Sequence, residues 1–252
     1  MVFDKTGRNT TASKVQRFPK GLLMIDGGRI EVEGVHLFDD FFDLAIDTTN
    51  KYTVGTEGTG AAVDITAALN GVLQIDTGTD VDNRNCIASR LNFSGARGVT
   101  AEFRIKTTTS DAGLLLFCGL TDLKDEGSGL LPIADTALAA ATITANASDF
   151  AGFAVRAETN DNVYCVSGKA GTLQSSDSAT DIVLDTWLKL RIEVDTDGNA
   201  KFYINDTFIT ELEDALTASD PLCLYLGGLI TTGSAAAFIQ MDFWGAHQAR
   251  IV

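Results

Sequence analysis

Long apolar runs are missing from this sequence. No stretch approaches the roughly 18 consecutive apolar residues that a membrane-crossing helix needs, so no membrane is expected as a partner. The first residues are basic but contain no apolar stretch of the export-signal kind, and no secretory leader is expected. Basic side chains are few: 19 Lys and Arg stand against 34 Asp and Glu, for a formal net charge of −15. A body of that sign repels phosphate, which argues against nucleic acid as a partner. Histidines number two and cysteines four. Cys86, Cys118, Cys165 and Cys223 lie far apart, three of them inside apolar strand-like runs. Without an export signal they are expected to be buried free thiols, although their even number leaves disulfides open. Walker A and dinucleotide glycine fingerprints are absent, as are the Gly-x-Ser-x-Gly elbow and a Cys–His hydrolase arrangement. No amphipathic helix of ordinary length and no fixed-period repeat is found.

What is present points to strands. Hydrophobic residues make up 45% of the 252 and charged residues 21%, a globular balance with enough chain for a substantial core. Proline is rare at three residues, while 24 glycines recur with Thr and Asp between short apolar runs. Gly71–Thr77 reads as a strand. In residues 98–107, Val99, Ala101, Phe103 and Ile105 alternate with Thr100, Glu102, Arg104 and Lys106. The run LLLFCGLTD reads as a strand buried on both faces. Residues 121–148 read as a long excursion, with a short helical turn at Asp135–Ala141. The clearest segment is a hairpin. Leu188, Leu190, Ile192 and Val194 alternate with Lys189, Arg191, Glu193 and Asp195. A turn at Thr196–Asn199 leads to a return strand with Phe202 and Ile204 on one face and Lys201, Tyr203 and Asn205 on the other.

The N-terminus differs from the rest. Lys5, Arg8, Lys14, Arg17 and Lys20 stand against Asp4 alone, so the first 20 residues carry +4 and the remainder −19. Its lack of apolar periodicity predicts an extended arm that orders on a partner. The five cations are the candidate partner-binding residues. A short hairpin around Asp26-Gly27-Gly28 follows, so residues 1–36 read as arm and leading hairpin, and 37–252 as one domain.

The segment Thr-Trp-Leu-Lys-Leu-Arg-Ile-Glu-Val-Asp, then Asp-Gly-Asn, then Lys-Phe-Tyr-Ile-Asn resembles the signature hairpin of concanavalin A-like (laminin G/pentraxin-like) jelly rolls. FAVRAETNDNVYCVSG resembles the preceding hairpin, and IQMDFWGAHQAR the closing strand that returns beside the N-terminal part. The resemblance implies an all-β, two-sheet antiparallel jelly-roll sandwich over residues 37–252, with an extended N-terminal arm. It says little about function, because the fold hosts lectins, glycosidases and adhesion modules alike. The basic arm, the acidic Gly/Thr/Asp-rich sandwich and the missing export signal are similar in style to structural proteins of tailed bacteriophages, such as capsid decoration (cement) and tail proteins.

Several constellations carry residue types suited to chemistry. Laminarinase-like glycosidases of this fold carry an E-x-D-x-(x)-E strand. Glu193, Asp195 and Asp197 match it in part, but Asp197 is short and belongs to the turn. Asp195 to Asn199 also resembles the start of a calcium loop, yet position 12 holds Asp206 rather than Glu. Hairpin polarity and turn chemistry explain both. Asp122, Asp125 and Glu126 read as a surface loop. His36 and His247 become neighbours if the closing strand returns as the fold implies, but they lack further metal ligands. Gly227-Gly228 reads as a bulge or strand end. Trp187 and Trp244 are expected in the core rather than on a sugar platform. Phe38, Phe41 and Phe42, set among Asp39, Asp40 and Asp43, divide between core and interface readings.

No cofactor, metal or catalytic residue is therefore expected. The expected function is a non-enzymatic virion protein, a decoration or cement subunit assembled in the host cytoplasm. Its partners would be the major capsid protein or other virion subunits, and it would itself be a homo-oligomer. A glycan is the alternative ligand, on a lectin-like module of a phage tail or fibre. A laminarinase-like glycoside hydrolase is the second alternative.

Overall fold

A computed structural model describes residues 15–17, 23–25, 34–43, 45–66, 71–90, 92–108, 113–123, 130–134, 144–157, 160–232 and 236–249. Strands are numbered in chain order. The first sheet runs β13 (Thr172–Asp181), β12 (Asn160–Lys169), β11 (Asp149–Arg156), β10 (Leu114–Thr121), β17 (Pro221–Ile230), β7 (Arg84–Ser89) and β4 (Tyr52–Glu57). The short β8 (Phe93–Ser94) pairs with β17. The second sheet runs β16 (Thr207–Leu212), β15 (Ala200–Ile204), β14 (Leu188–Val194), β9 (Val99–Thr107), β18 (Phe238–Ala249), β6 (Val72–Asp76) and β5 (Ala62–Thr66), with β3 (Gly34–Asp39) also on β18. Every ladder in both sheets is antiparallel. Among the described residues the one helical element is the single turn Gly95–Arg97.

Period-two alternation decides which side chains meet between the sheets. Val99, Ala101, Phe103 and Ile105 of β9 point inward, as do Leu188, Leu190, Ile192 and Val194 of β14. They face Leu114, Leu116, Cys118 and Leu120 of β10 and Ala151, Phe153 and Val155 of β11. The β14–β15 hairpin sets Leu190 opposite Ile204 and Ile192 opposite Phe202, with the inward faces read from the sequence. Its turn is locked by Asp195, whose Oδ1 accepts the backbone N–H of Asp197 and of Asn199, both at 2.9 Å. Trp244 of β18 is fully buried against Phe41, Tyr52 and Phe103.

The first sheet is apolar on its outer face as well. Leu115, Phe117, Phe150, Tyr164, Val166 and Tyr225 form a second core with Leu131, Ile133 and Ala147 of the excursion. Ile133 and Ala145 bridge across that excursion, and the Tyr225 hydroxyl donates to the Leu130 carbonyl at 2.7 Å. This roof explains why all eight residues of β10 are buried. Phe150 lies opposite Gly168, and a Cβ there would overlap the Phe150 ring, so only glycine admits the packing. All four cysteines are buried thiols outside any disulfide.

The N-terminal part departs from a wholly extended arm. β1 (Val15–Arg17) and β2 (Leu23–Ile25) pair into a two-stranded sheet of their own. The hairpin expected at Asp26–Gly28 and the helical turn expected at Asp135–Ala141 lie outside the described residues.

Candidate binding face

With the first sheet roofed, the open sheet surface is the outer face of the second. Its side chains fall in cross-strand rows. One row reads Phe208, Tyr203, Arg191, Glu102, Gly245 and Phe38 across six strands. The next, toward the turn of the β14–β15 hairpin, reads Glu211, Lys201, Glu193, Thr100, His247 and His36. On the other side lie Lys189, Arg104 and Phe243. Trp187 precedes β14 on the same face, with the Arg104 guanidinium 4.9 Å and the Lys106 ammonium 5.0 Å from its ring centre.

Charges on this face are matched locally. Arg104 pairs with Asp242, Lys189 with Asp206 at 2.6 Å, and Arg191 with Glu193 at 3.4 Å. Arg191 is only 3% exposed and lies over the Tyr203 ring at 4.0 Å. Glu102 beside it is 5% exposed. Burial pushes its carboxyl above the usual glutamate range, against the pull of Lys189 and Arg191.

Trp187 corrects an expectation: it is half-exposed on this face rather than in the core, whereas Trp244 is in the core as expected. The signal was available, because Trp187 is in phase with Lys189, Arg191 and Glu193, the outward set. The three phenylalanines divide: Phe41 is buried, Phe38 half-buried against Phe243, and Phe42 63% exposed.

The acidic candidates resolve into structural roles. Glu193 accepts a hydrogen bond from the Tyr203 hydroxyl at 3.0 Å and pairs with Arg191. Asp195 is occupied by its own turn, also accepting from the Asn199 amide at 2.9 Å, and those bonds hold its carboxyl below the usual range despite some burial. Glu193 and Asp195 are each engaged by partners within the β14–β15 hairpin. Asp122 accepts the Ser148 N–H at 3.3 Å, while Asp125 and Glu126 lie outside the described residues. Of the five candidate arm cations, Arg17 closes β1, and Lys5, Arg8, Lys14 and Lys20 lie outside the described residues.

His36 and His247 do meet. They are direct cross-strand partners of β3 and β18, with rings stacked 4.6 Å apart at 27°. Stacked rings aim their nitrogens along nearly parallel planes, so they do not converge on one ion. Among the described residues no group of three or more His, Cys, Asp or Glu is placed to hold a metal. Burial first, and His36 second, hold the His247 pKa below the ordinary 6.5. The folded state therefore binds this proton less readily than the unfolded chain. The stability involved is complete above pH 6.5 and is lost as pH falls toward the depressed value. Thermal unfolding should show a steeper acid-side loss for wild type than for His247→Gln. Parallel profiles would exclude the pair as a source of pH sensitivity.

No family model matches the chain and no curated protein is significantly similar to it. Solved structures are similar in fold. A protein of unknown function from Shewanella oneidensis MR-1 aligns at TM-score 0.59 and 15% identity, over 87% of this chain and 88% of that one. A glycoside hydrolase family 16 endo-glucanase from Bacteroides ovatus aligns at 0.58 and 12%, over 82% and 98%. The carbohydrate recognition domain of Emp47p aligns at 0.57 and 9%, over 88% and 100%. At such identities the likeness is one of fold alone. Together with the strand order it makes this chain an all-β, two-sheet antiparallel jelly-roll sandwich, whose structural neighbours are concanavalin A-like.

Proposed function

We propose that this protein is a non-catalytic structural subunit of a virion, one that decorates a bacteriophage head through its basic N-terminal segment. The observation that carries this reading is a separation. Residues 1–20 carry +4 against a remainder of −19, and their described strand, β1, pairs with β2 in a sheet distinct from both sandwich sheets. Such a segment is available to an acidic partner such as a capsid surface or a neighbouring subunit. The roofed first sheet and the internally paired carboxylates of the second are consistent with a scaffold. Quantifying the chain in purified particles tests the reading: a fixed, high copy number supports it, and absence from particles removes it.

A glycan-binding reading is favoured by one feature, the half-exposed Trp187 flanked by Arg104 and Lys106. Two fold neighbours are named as a glucanase and a carbohydrate recognition domain. A glycan array probed with wild type and Trp187→Ala separates this reading from the first. Glu193→Gln keeps the side-chain size but removes the charge paired with the buried Arg191, so it is expected to cost about 1–3 kcal/mol. Glucan hydrolysis by wild type, abolished in that variant, would instead establish a glycosidase.

A further inference from the structure

We propose that β13 is the seam of a homodimer, its free edge pairing antiparallel with the β13 of a second copy to make one continuous sheet from the two first sheets. The geometry begins at the β12–β13 turn. Lys169 and Thr172 face each other across two residues, Ala170 at φ 46° and Gly171 at φ 86°, the signature of a type I′ hairpin. The two flanking residues of such a turn bond to each other. The backbone groups of Thr172, Gln174 and Ser176 therefore point at β12, and those of Leu173, Ser175 and Asp177 point away. Among the described residues β13 pairs with β12 alone, so the outward groups form an open edge.

Exposed edges are normally guarded by Lys, Pro, bulges or shortness. β13 has ten residues and contains no Lys, Arg or Pro. Three of the other outer strands carry such guards. β16 carries a bulge opposite Phe202 and Tyr203 and an ion pair from Glu211 to Lys201. β4 ends in the Glu57–Arg84 pair, and β5 has five residues. The irregularity of β13 lies at its far end. There Ala179 has φ 53°, and its N–H donates to Asp177 at 2.8 Å. Thr172 to Asp177 is left regular.

That stretch is complementary to itself. A two-fold axis through Ser175, perpendicular to the sheet, sets Ser175 opposite Ser175, Leu173 opposite Asp177 and Gln174 opposite Ser176. Every outward-facing residue then meets another outward-facing one, so the ladder closes without a like-charge contact. A one-residue shift puts the outward groups out of phase. Moving the axis to Asp177 sets two carboxylates against each other, which is unfavourable. Asp177 is held for this selection by the Asn162 amide at 2.8–2.9 Å.

The inference does not depend on what the protein decorates, and its test uses the isolated full chain. Light scattering after size exclusion, over a wide micromolar range, should give twice the chain mass. Ser175→Pro removes an outward N–H and none of the β12 ladder, so it should be a monomer with an unchanged circular dichroism spectrum. Ser175→Lys, which sets two cations face to face at the axis, should weaken association at least about ten-fold. It decides the matter if the proline variant misfolds. Monomeric wild type at all concentrations, or dimers undisturbed by the lysine, would overturn the proposal.

Discussion

Trp244→Ala is expected to destabilise the protein by about 3–5 kcal/mol, the range for truncating a large buried aromatic. Trp244 is fully buried, with ring centres of Tyr52 at 5.5 Å, Phe41 at 6.1 Å and Phe103 at 6.3 Å around it. These contacts tie β18 to β9, to the β4 strand of the opposite sheet and to the segment after β3. β9 and β18 are held by ladders on both sides and can collapse only partly into the void. A domain's whole stability is about 5–15 kcal/mol, so the loss is a large fraction of it. Urea unfolding followed by tyrosine or far-UV signals measures it. A shift under about 1 kcal/mol would mean that this aromatic cluster does not anchor the closing strand.

Deleting residues 1–20 is expected to abolish decoration while leaving the sandwich folded. The deletion removes β1, whose ladder partner is β2 and neither sandwich sheet. It also removes five cations, Lys5, Arg8, Lys14, Arg17 and Lys20, and takes the net charge from −15 to −19. Fully extended, 20 residues span roughly 65 Å, enough to cross onto a neighbouring subunit. Exposed contacts of this kind weaken with salt, because the screening length falls from about 10 Å at 0.1 M to about 3 Å at 1 M. Full-length and truncated protein would be mixed with undecorated particles at both salt concentrations, pelleted and counted. Equal binding by the two forms would refute the segment's role and leave a sandwich face as the contact.

The inner faces were legible because antiparallel strands with one wet face must alternate. Leu188 to Val194 and Val99 to Ile105 carried that signal unambiguously. The meeting of His36 with His247 was legible only through the resemblance of the closing strand. The roof was half-legible: LLLFCGL announces burial on both sides, but a run of apolar residues does not say what covers it. The near-complete burial of Glu102 and Arg191 was invisible. It depends on a cross-strand neighbour 89 positions away, and each residue reads locally as the polar half of an alternating strand. The exposure of Trp187 follows its phase with the outward Lys189, Arg191 and Glu193 rather than its residue type.

The placement of β18 has a consequence for biosynthesis. This strand lies between β9 on one side and β6 and β3 on the other. While residues 238–249 are still inside the ribosome, the second sheet exists as three separate pieces, β16-β15-β14-β9, β6-β5 and β3. Each has an unsatisfied edge, and the Phe103 and Leu73 side chains beside the gap lack their cover. Closure requires pairing with residues about 200 positions earlier in the chain, such as His36 and Gly34. Topologies dominated by such distant pairings fold in milliseconds to seconds rather than microseconds, and their open edges are exposed meanwhile. The nascent chain should therefore depend on holding chaperones until translation has passed β18, and arrest just before that strand should yield an aggregation-prone species.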